Sequence, residues 1–279
     1  MSGGQVLLVT GSVLPEPDDE SASVVKALLA LGIDAALVSW ADPGVEWAAA
    51  ERVVIRSAWD YPDHLDRFLS WCDQVAGVAE LWNPAPVVEW NAHKGYLLDL
   101  AAAGLPVIPS GLCGEDAGVM VAEAAGEIGW DAIVLKPAVG VGGFGVETFA
   151  FDAPAAQTHL EMLNDLGDAL MQPFLPGLET SLVWLGGEFS HAVAKPTPAG
   201  EFRAQAHLGA RIEPTTATPA QIDVGQSALD VVGSDLLYAR VDLVELDGGP
   251  TVMELELIEP SLFLAPTGTV GRFAQVLAE

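Results

Sequence analysis

Basic residues are what this chain of 279 residues has least of: four lysines and seven arginines stand against 39 acidic residues, giving a formal net charge of −28. A surface of that sign repels nucleic acid and anionic membranes, and neither is expected as a partner. It also repels a polyphosphate, so a site for one must gather the few cations available. Cysteine is nearly absent too: Cys72 and Cys113 are too few for a disulfide framework, which fits a reducing, cytoplasmic setting. Although 51% of the residues are hydrophobic, no uninterrupted apolar run approaches the roughly 20 residues of a membrane span. The opening MSGGQVLLVTGSV runs straight into strand-like sequence and does not read as a leader.

The apolar run Val6 to Thr10, a helical pattern from Ser21 to Leu31 ending at Gly32, and the apolar Asp34 to Trp40 suggest a parallel α/β unit. Arg52 to Arg56 adds a buried strand. Ligands of open parallel sheets collect at the carboxyl ends of strands, so Arg56, Trp59, Asp60 and Tyr61 form a candidate binding edge, equally readable as a packed turn. Helices are expected around His64 to Ala76, Lys94 to Ala103, Glu115 to Ile128, Ala153 to Leu166 and Gln221 to Leu237. Beyond Ala132 the pattern turns to strands joined by tight turns, an α+β arrangement.

Glycine is concentrated in LKPAVGVGGFGV, Leu135 to Val146. Gly140, Gly142 and Gly145 match G-x-G-x-x-G literally, but a dinucleotide fold opens a helix there and VETFAF reads as a strand. No Gly-Lys-Ser/Thr follows, so a Walker A loop is excluded. A strand ending in Lys136, then a glycine hairpin, suits a flap over phosphates, with the ammonium as a point charge. A purely structural hairpin is the alternative.

Near the carboxyl end, RVDLVELDGGPTVMELELIEPSL reads as a hairpin on whose second strand Glu254 and Glu256 share a face, with Asp242 across from them. Three carboxylates so close repel one another unless a cation sits among them, and hard oxygen ligands suit Mg2+. The alternative is a solvated acidic face. Arg240, two residues before Asp242, shares that face, where charge develops in phosphoryl and acyl transfer; Arg203 is a second candidate. No nucleophile elbow occurs, and the histidines lack zinc spacing.

The order Lys94, Lys136 with its glycine loop, QPFL (Gln172 to Leu175), Glu179, Lys195, Arg240, Asp242 and Glu254-x-Glu256 resembles the ATP-grasp superfamily. The resemblance implies an α/β N-terminal unit plus α+β ATP-grasp lobes: residues 1–88, a central lobe 89–172 with the flap, and a C-terminal lobe 173–279 with the metal site. It implies ATP and Mg2+ as cofactors, with Lys94, Lys136, Gly142, Gly143, Phe144 and Lys195 around the phosphates. Gln172, Phe174 and Leu175 would flank adenine, and Glu179 would meet the ribose. Asp242, Glu254 and Glu256 would hold the metal, the last standing where the family usually carries Asn. IRSAWDYPDHLDRFLSW, LWNPAPVVEWNAHKGYLLDLAAAGLPVIP, GGEFSHAVAKP and MELELIEPSLFL resemble the glutathione-synthetase-like group and its cycloserine-forming cyclo-ligase branch. That implies activation of the carboxylate of O-ureido-D-serine and ring closure within the molecule, with Asn83 joining Arg56, Trp59, Asp60 and Tyr61 at the substrate and Arg240 and Arg203 as catalytic residues. A homodimer is the assembly suggested. An intermolecular amino-acid ligase and a non-catalytic nucleotide-binding module remain open.

Overall fold

The computed structural model describes residues 4–15, 17–113, 132–150, 154–175, 178–196, 211–246 and 248–279. The expected helix Glu115 to Ile128 and Arg203 lie outside them. None of the described helices is long and apolar enough to cross a membrane.

The N-terminal part is a parallel sheet of order β2-β1-β3-β4, with β1 Gln5–Thr10, β2 Ala35–Ser39, β3 Ala50–Ser57 and β4 Glu80–Trp82. Side chains alternate across a strand, and β1 uses both faces. Leu7 and Val9 pack with Phe68, Trp71 and Val75 of α2 (Leu65–Ala76) and Val88 of α3 (Ala85–Ala92). Val6 and Leu8 pack with Val24 and Leu28 of α1 (Asp19–Ala30) and with Phe273 and Leu277 of the last helix, Val270–Ala278. The chain end thus closes onto the first sheet, a long-range contact no local pattern announces.

A second sheet, antiparallel and of order β5-β8-β6-β7, comprises β5 Gly111–Cys113, β6 Ala132–Pro137, β7 Glu147–Ala150 and β8 Ala169–Pro173. The helix α5, Pro154–Asn164, buries Leu160 and Leu163 against Ile133, Leu135 and Met171. The short α4, Tyr96–Ala102, precedes this sheet in the chain. The strand after the glycine loop pairs antiparallel with β6, as a flap requires and a dinucleotide fold does not.

The third sheet, β11-β10-β9-β12-β13, is antiparallel: β9 Glu179–Leu185, β10 Glu188–Lys195, β11 Glu213–Thr215, β12 Tyr238–Leu246 and β13 Gly249–Glu256. Helix α6, Pro219–Val232, covers it; its start is fixed by Pro219 and by a capping box in which Thr218 and Gln221 bond each other's backbone. Gly225 on α6 lets the helix settle on Trp184, since a Cβ there would lie 2.3 Å from the indole. Two short helices, α7 (Leu264–Thr267) and α8 (Val270–Ala278), end the chain. The expected division after residue 88 falls inside α3, and that after 172 falls within β8.

Strand β13 is at the sheet edge, yet its outward backbone groups are taken. Val252 exchanges bonds with Pro106 and Ile108, the Leu255 N–H donates to Tyr96 Oη (3.0 Å), and Asn91 bonds Leu255 O and Leu257 N. Asn83 Nδ2 donates to Leu257 O (2.7 Å) and Tyr238 O (2.9 Å), while its Oδ1 accepts from Leu237 N (2.9 Å). An edge strand left open would invite pairing with another chain. Here residues from 83 to 108 close it and bind the N-terminal region to the β12–β13 hairpin.

Candidate active site

The β12–β13 hairpin pairs Arg240 with Glu256 and Asp242 with Glu254, followed by a register shift at which Leu243 faces Val252. The extra residue, Met253, is a bulge, and a bulge re-aims side chains. Val252, Leu255 and Leu257 therefore enter the core, while Glu254 and Glu256 stand on the opposite face. One oxygen from each of Asp242, Glu254 and Glu256 lies within 4.8 Å of the others.

Four cations meet these carboxylates. Asp242 receives Arg240 Nε and Nη2, both at 3.0 Å, Lys195 Nζ at 3.3 Å, and the Ser181 hydroxyl at short range. Burial works to raise its pKa, but Arg240, Lys195 and Ser181 outweigh that and hold the carboxyl well below its ordinary range. Arg240 also bonds Glu256, and Lys195 bonds Glu179. Burial likewise acts against Glu254, but Lys136 and Lys94 bring it down to about 2, and Lys94 Nζ stands 3.2 Å from it. Glu256 is pushed up to about 6, by burial and by Asp242 and Glu254, in spite of Arg240. Glu179 rises to about 7 because burial outweighs Lys195.

Lys136 differs from the other three. Only 7% exposed, its ammonium has no hydrogen bond or ion pair to any described residue. Burial lowers its pKa against the pull of Glu254. A largely buried lysine whose ammonium has no hydrogen-bond acceptor among the described residues is a reason to look for an anionic ligand there.

Lys94 Nζ donates to Gly140 O (2.8 Å) and its backbone N–H to Ala138 O (2.7 Å), so it docks on the glycine loop. Gly142, Gly143 and Gly145 all have positive φ, and Phe144 at the crest is 70% exposed. Gln172, at the end of β8, donates to Ser110 Oγ (2.9 Å); Phe174 and Leu175 follow it half-buried, with the Phe174 N–H on Ala132 O.

The candidate substrate residues separate. Trp59 and Asp60 stay at the edge; Asp60 accepts from Ser12 N and Oγ and from Trp40 Nε1, which together hold its pKa down against burial. The other three expected substrate residues are buried. Tyr61 is 3% exposed and stacks on Phe68 in the core. Arg56 is buried between Glu20 and Pro260 O, over the rings of Tyr238 and Phe273. Asn83 has no exposed surface, and all of its amide bonds named above go to backbone. Tyr61 is held by apolar packing and Asn83 by backbone bonds, whereas Arg56 spends Nη2 on Glu20 and Pro260 O and keeps Nε and Nη1 without a hydrogen-bond partner among the described residues.

Sequence reasoning missed Ser181, which only the β9–β12 pairing brings opposite Asp242, and Glu259. Burial and the neighbouring Glu256 push the Glu259 carboxyl up to about 8. It is the third acid of the ELELIE run, the one signal that could have found it.

The donors suit a hard divalent cation: all are carboxylate oxygens on one face, and the raised Glu256 is a carboxylate that the resident cations compensate incompletely. Among the described residues this is the one such cluster of His, Cys, Asp and Glu.

Residues 6–83 match the family model described as D-cycloserine synthetase DcsG, N-terminal domain. Cycloserine biosynthesis protein DcsG of Streptomyces lavendulae is 33% identical over 298 aligned positions, covering 99% of this chain and 98% of that protein. The crystal structure of D-cycloserine synthetase DcsG superposes with a TM-score of 0.88 at 33% identity, covering 99% of both chains. An ATP-grasp RimK domain protein from Sphaerobacter thermophilus shares the fold, with a TM-score of 0.70 at 22% identity over 98% of this chain and 99% of that one. Joined to the hairpin carboxylates, the cations around them and the glycine flap, this likeness places the chain in the DcsG family of ATP-grasp enzymes, ATP-dependent and ADP-forming C–N ligases.

Proposed function

We propose that this ligase activates the carboxylate of a small molecule as an acyl phosphate and closes it by attack of a nitrogen in the same molecule, converting O-ureido-D-serine to D-cycloserine. The observation that carries the activation step is the meeting of four of the chain's 11 basic residues, Lys94, Lys136, Lys195 and Arg240, around the carboxylates of one hairpin face. In so acidic a protein that concentration has a purpose, and an anionic nucleotide supplies it. Whole-length similarity to a cycloserine biosynthesis protein supports the cyclisation.

In this reading Lys94, Lys136 and Lys195 neutralise the phosphates of ATP. Gly142, Gly143 and Phe144 fold over them. Gln172, Phe174 and Leu175 flank adenine, and Glu179 meets the ribose. Asp242, Glu254 and Glu256 hold Mg2+, which when bound neutralises phosphate charge. A substrate carboxylate oxygen attacks the γ-phosphorus and ADP departs; the nitrogen then attacks the acyl carbon, releasing phosphate, with its proton passing to solvent. Arg240, with Arg203 as a second candidate, stabilises the charge that develops on the acyl group. Trp59 and Asp60 face the rest of the substrate. Lobes at 1–88, 89–172 and 173–279, a cytoplasmic location, no nucleic-acid or membrane partner and a homodimer complete the reading.

The test is ADP release with O-ureido-D-serine and with a panel of amino acids, with and without added amines. Mg2+-dependent release with O-ureido-D-serine alone is expected. A requirement for a second amine would replace cyclisation by intermolecular ligation, and ATP binding without turnover on any carboxylate would leave a nucleotide-binding module.

A further inference from the structure

The segment leaving β13, Ile258 to Leu264, is held by side chains at almost every backbone group. Ile258 O accepts from Tyr238 Oη (2.7 Å), Glu259 O from Trp59 Nε1 (3.4 Å), Pro260 O from Arg56 Nη2 (2.8 Å) and Ser261 O from Arg240 Nη1 (3.1 Å). Leu262 O accepts from His191 Nε2 at 2.7 Å, which fixes the proton on that nitrogen because a carbonyl can only accept. One carboxylate takes the N–H groups on either side of Phe263: Glu20 Oε1 accepts from Leu262 N (2.9 Å) and Oε2 from Leu264 N (2.8 Å). Glu20 Oε1 also receives Arg56 Nη2 at 3.0 Å.

Between those two amides, Phe263 has φ 53°, the one positive value at a non-glycine among the described residues. Such a conformation persists only where its surroundings over-determine it. The outcome is a ring lying 5.4 Å from Lys195 Nζ and 5.4 Å from Arg240 Cζ. Both of those cations bond Asp242.

We propose that Phe263 is a positioning residue for the phosphate end of the site, an aromatic base on which Lys195 and Arg240 rest, and that Glu20 of the N-terminal region holds it there. The face of an aromatic ring attracts cations. Lys195 and Arg240 stand between carboxylates on several sides, Glu179, Asp242 and Glu256, and each could settle wholly on one of them. The ring adds a neutral attraction from below that keeps both head groups at the face where a phosphate would lie. Through Glu20 the N-terminal region sets the geometry of cations that belong to the C-terminal sheet. This inference rests on the function proposed above for what the cations do, though not for which carboxylate is accepted.

The experiment compares Phe263→Leu, Phe263→Tyr, Glu20→Gln and the double variant E20Q/F263L, reading kcat and KM for ADP release, the affinity for the non-hydrolysable AMP-PNP with Mg2+ by calorimetry, and thermal unfolding. Losing one cation–ring contact corresponds to about 2- to 30-fold. Phe263→Leu is expected to lower kcat by about 10-fold and to weaken AMP-PNP binding several-fold, with KM for the carboxylate unchanged, whereas Phe263→Tyr restores both. Glu20→Gln gives a smaller loss in the same direction, and the double variant is no worse than Phe263→Leu, since both act through the ring. Wild-type kcat and AMP-PNP affinity in Phe263→Leu, or losses that add in the double variant, would overturn the proposal. The AMP-PNP arm is independent of the substrate, so failure of the proposed cyclisation leaves it readable.

Discussion

Asn83 offers the sharpest separation between a substrate contact and a structural clamp. Replacing it with Ala deletes three hydrogen bonds at a site with no solvent exposure and leaves the Leu257 carbonyl, the Tyr238 carbonyl and the Leu237 N–H without that partner. A buried group left unpaired costs roughly 1–3 kcal/mol, and allowing for relaxation the variant should lose about 3–6 kcal/mol, near the upper end for single substitutions. Asn83→Asp should be at least as damaging, because a carboxylate cannot donate to the two carbonyls. The assay is urea unfolding followed by tryptophan fluorescence, with the midpoint falling at unchanged slope. Whatever protein remains folded should keep its KM for the carboxylate, since the amide faces backbone. A variant with unchanged midpoint and a raised KM would refute this reasoning and return Asn83 to the substrate site.

Lys136→Ala and Glu254→Gln should each reduce ADP formation by at least roughly 100-fold, with unaltered circular dichroism; near-wild-type turnover in either would remove that residue from the site. Gly145 has φ +67 and an added Cβ would meet Pro137 Cγ at 3.1 Å, so Gly145→Ala should destabilise the flap by about 1–3 kcal/mol, read as a lower unfolding midpoint and faster proteolysis at the loop. Glu259 has a folded pKa raised from 4.5 to about 8, first by burial and then by Glu256. A raised carboxyl pKa means the protonated form is the favoured one in the fold, so its contribution to stability is complete below about pH 4.5 and is lost as pH rises through 8. Glu259→Gln should flatten that decline in a series of urea melts from pH 5 to 9, and a decline of wild-type steepness would show that another group causes it.

Scarcity made part of this site legible. With so few cations in the chain, the position of Lys136 before a glycine hairpin pointed to phosphate, and the two-residue spacing of Glu254 and Glu256 put them on one face because side chains alternate along any strand. Those are local properties, and the sequence by itself determined them, together with the αβ opening and the antiparallel hairpins that follow. Partner choice is different, because it depends on what lies opposite. The bulge at Met253, which sends Val252 into the core while Glu254 faces the site, exists only in the pairing of β13 with β12. Asn83 looked like a polar residue at a binding edge, but its carbonyl partners stand 155 and 174 positions away. Glu20 reaches Leu262 and Leu264 across 242 and 244 positions. Tyr61 and Arg56 were drawn inward for a similar reason: a ring and a guanidinium gain more from stacked neighbours than from the edge of the sheet where their strand ends. The sequence set which residues could share a face, and the tertiary structure decided which of those faces met, since burial and hydrogen bonding are settled between elements rather than within them.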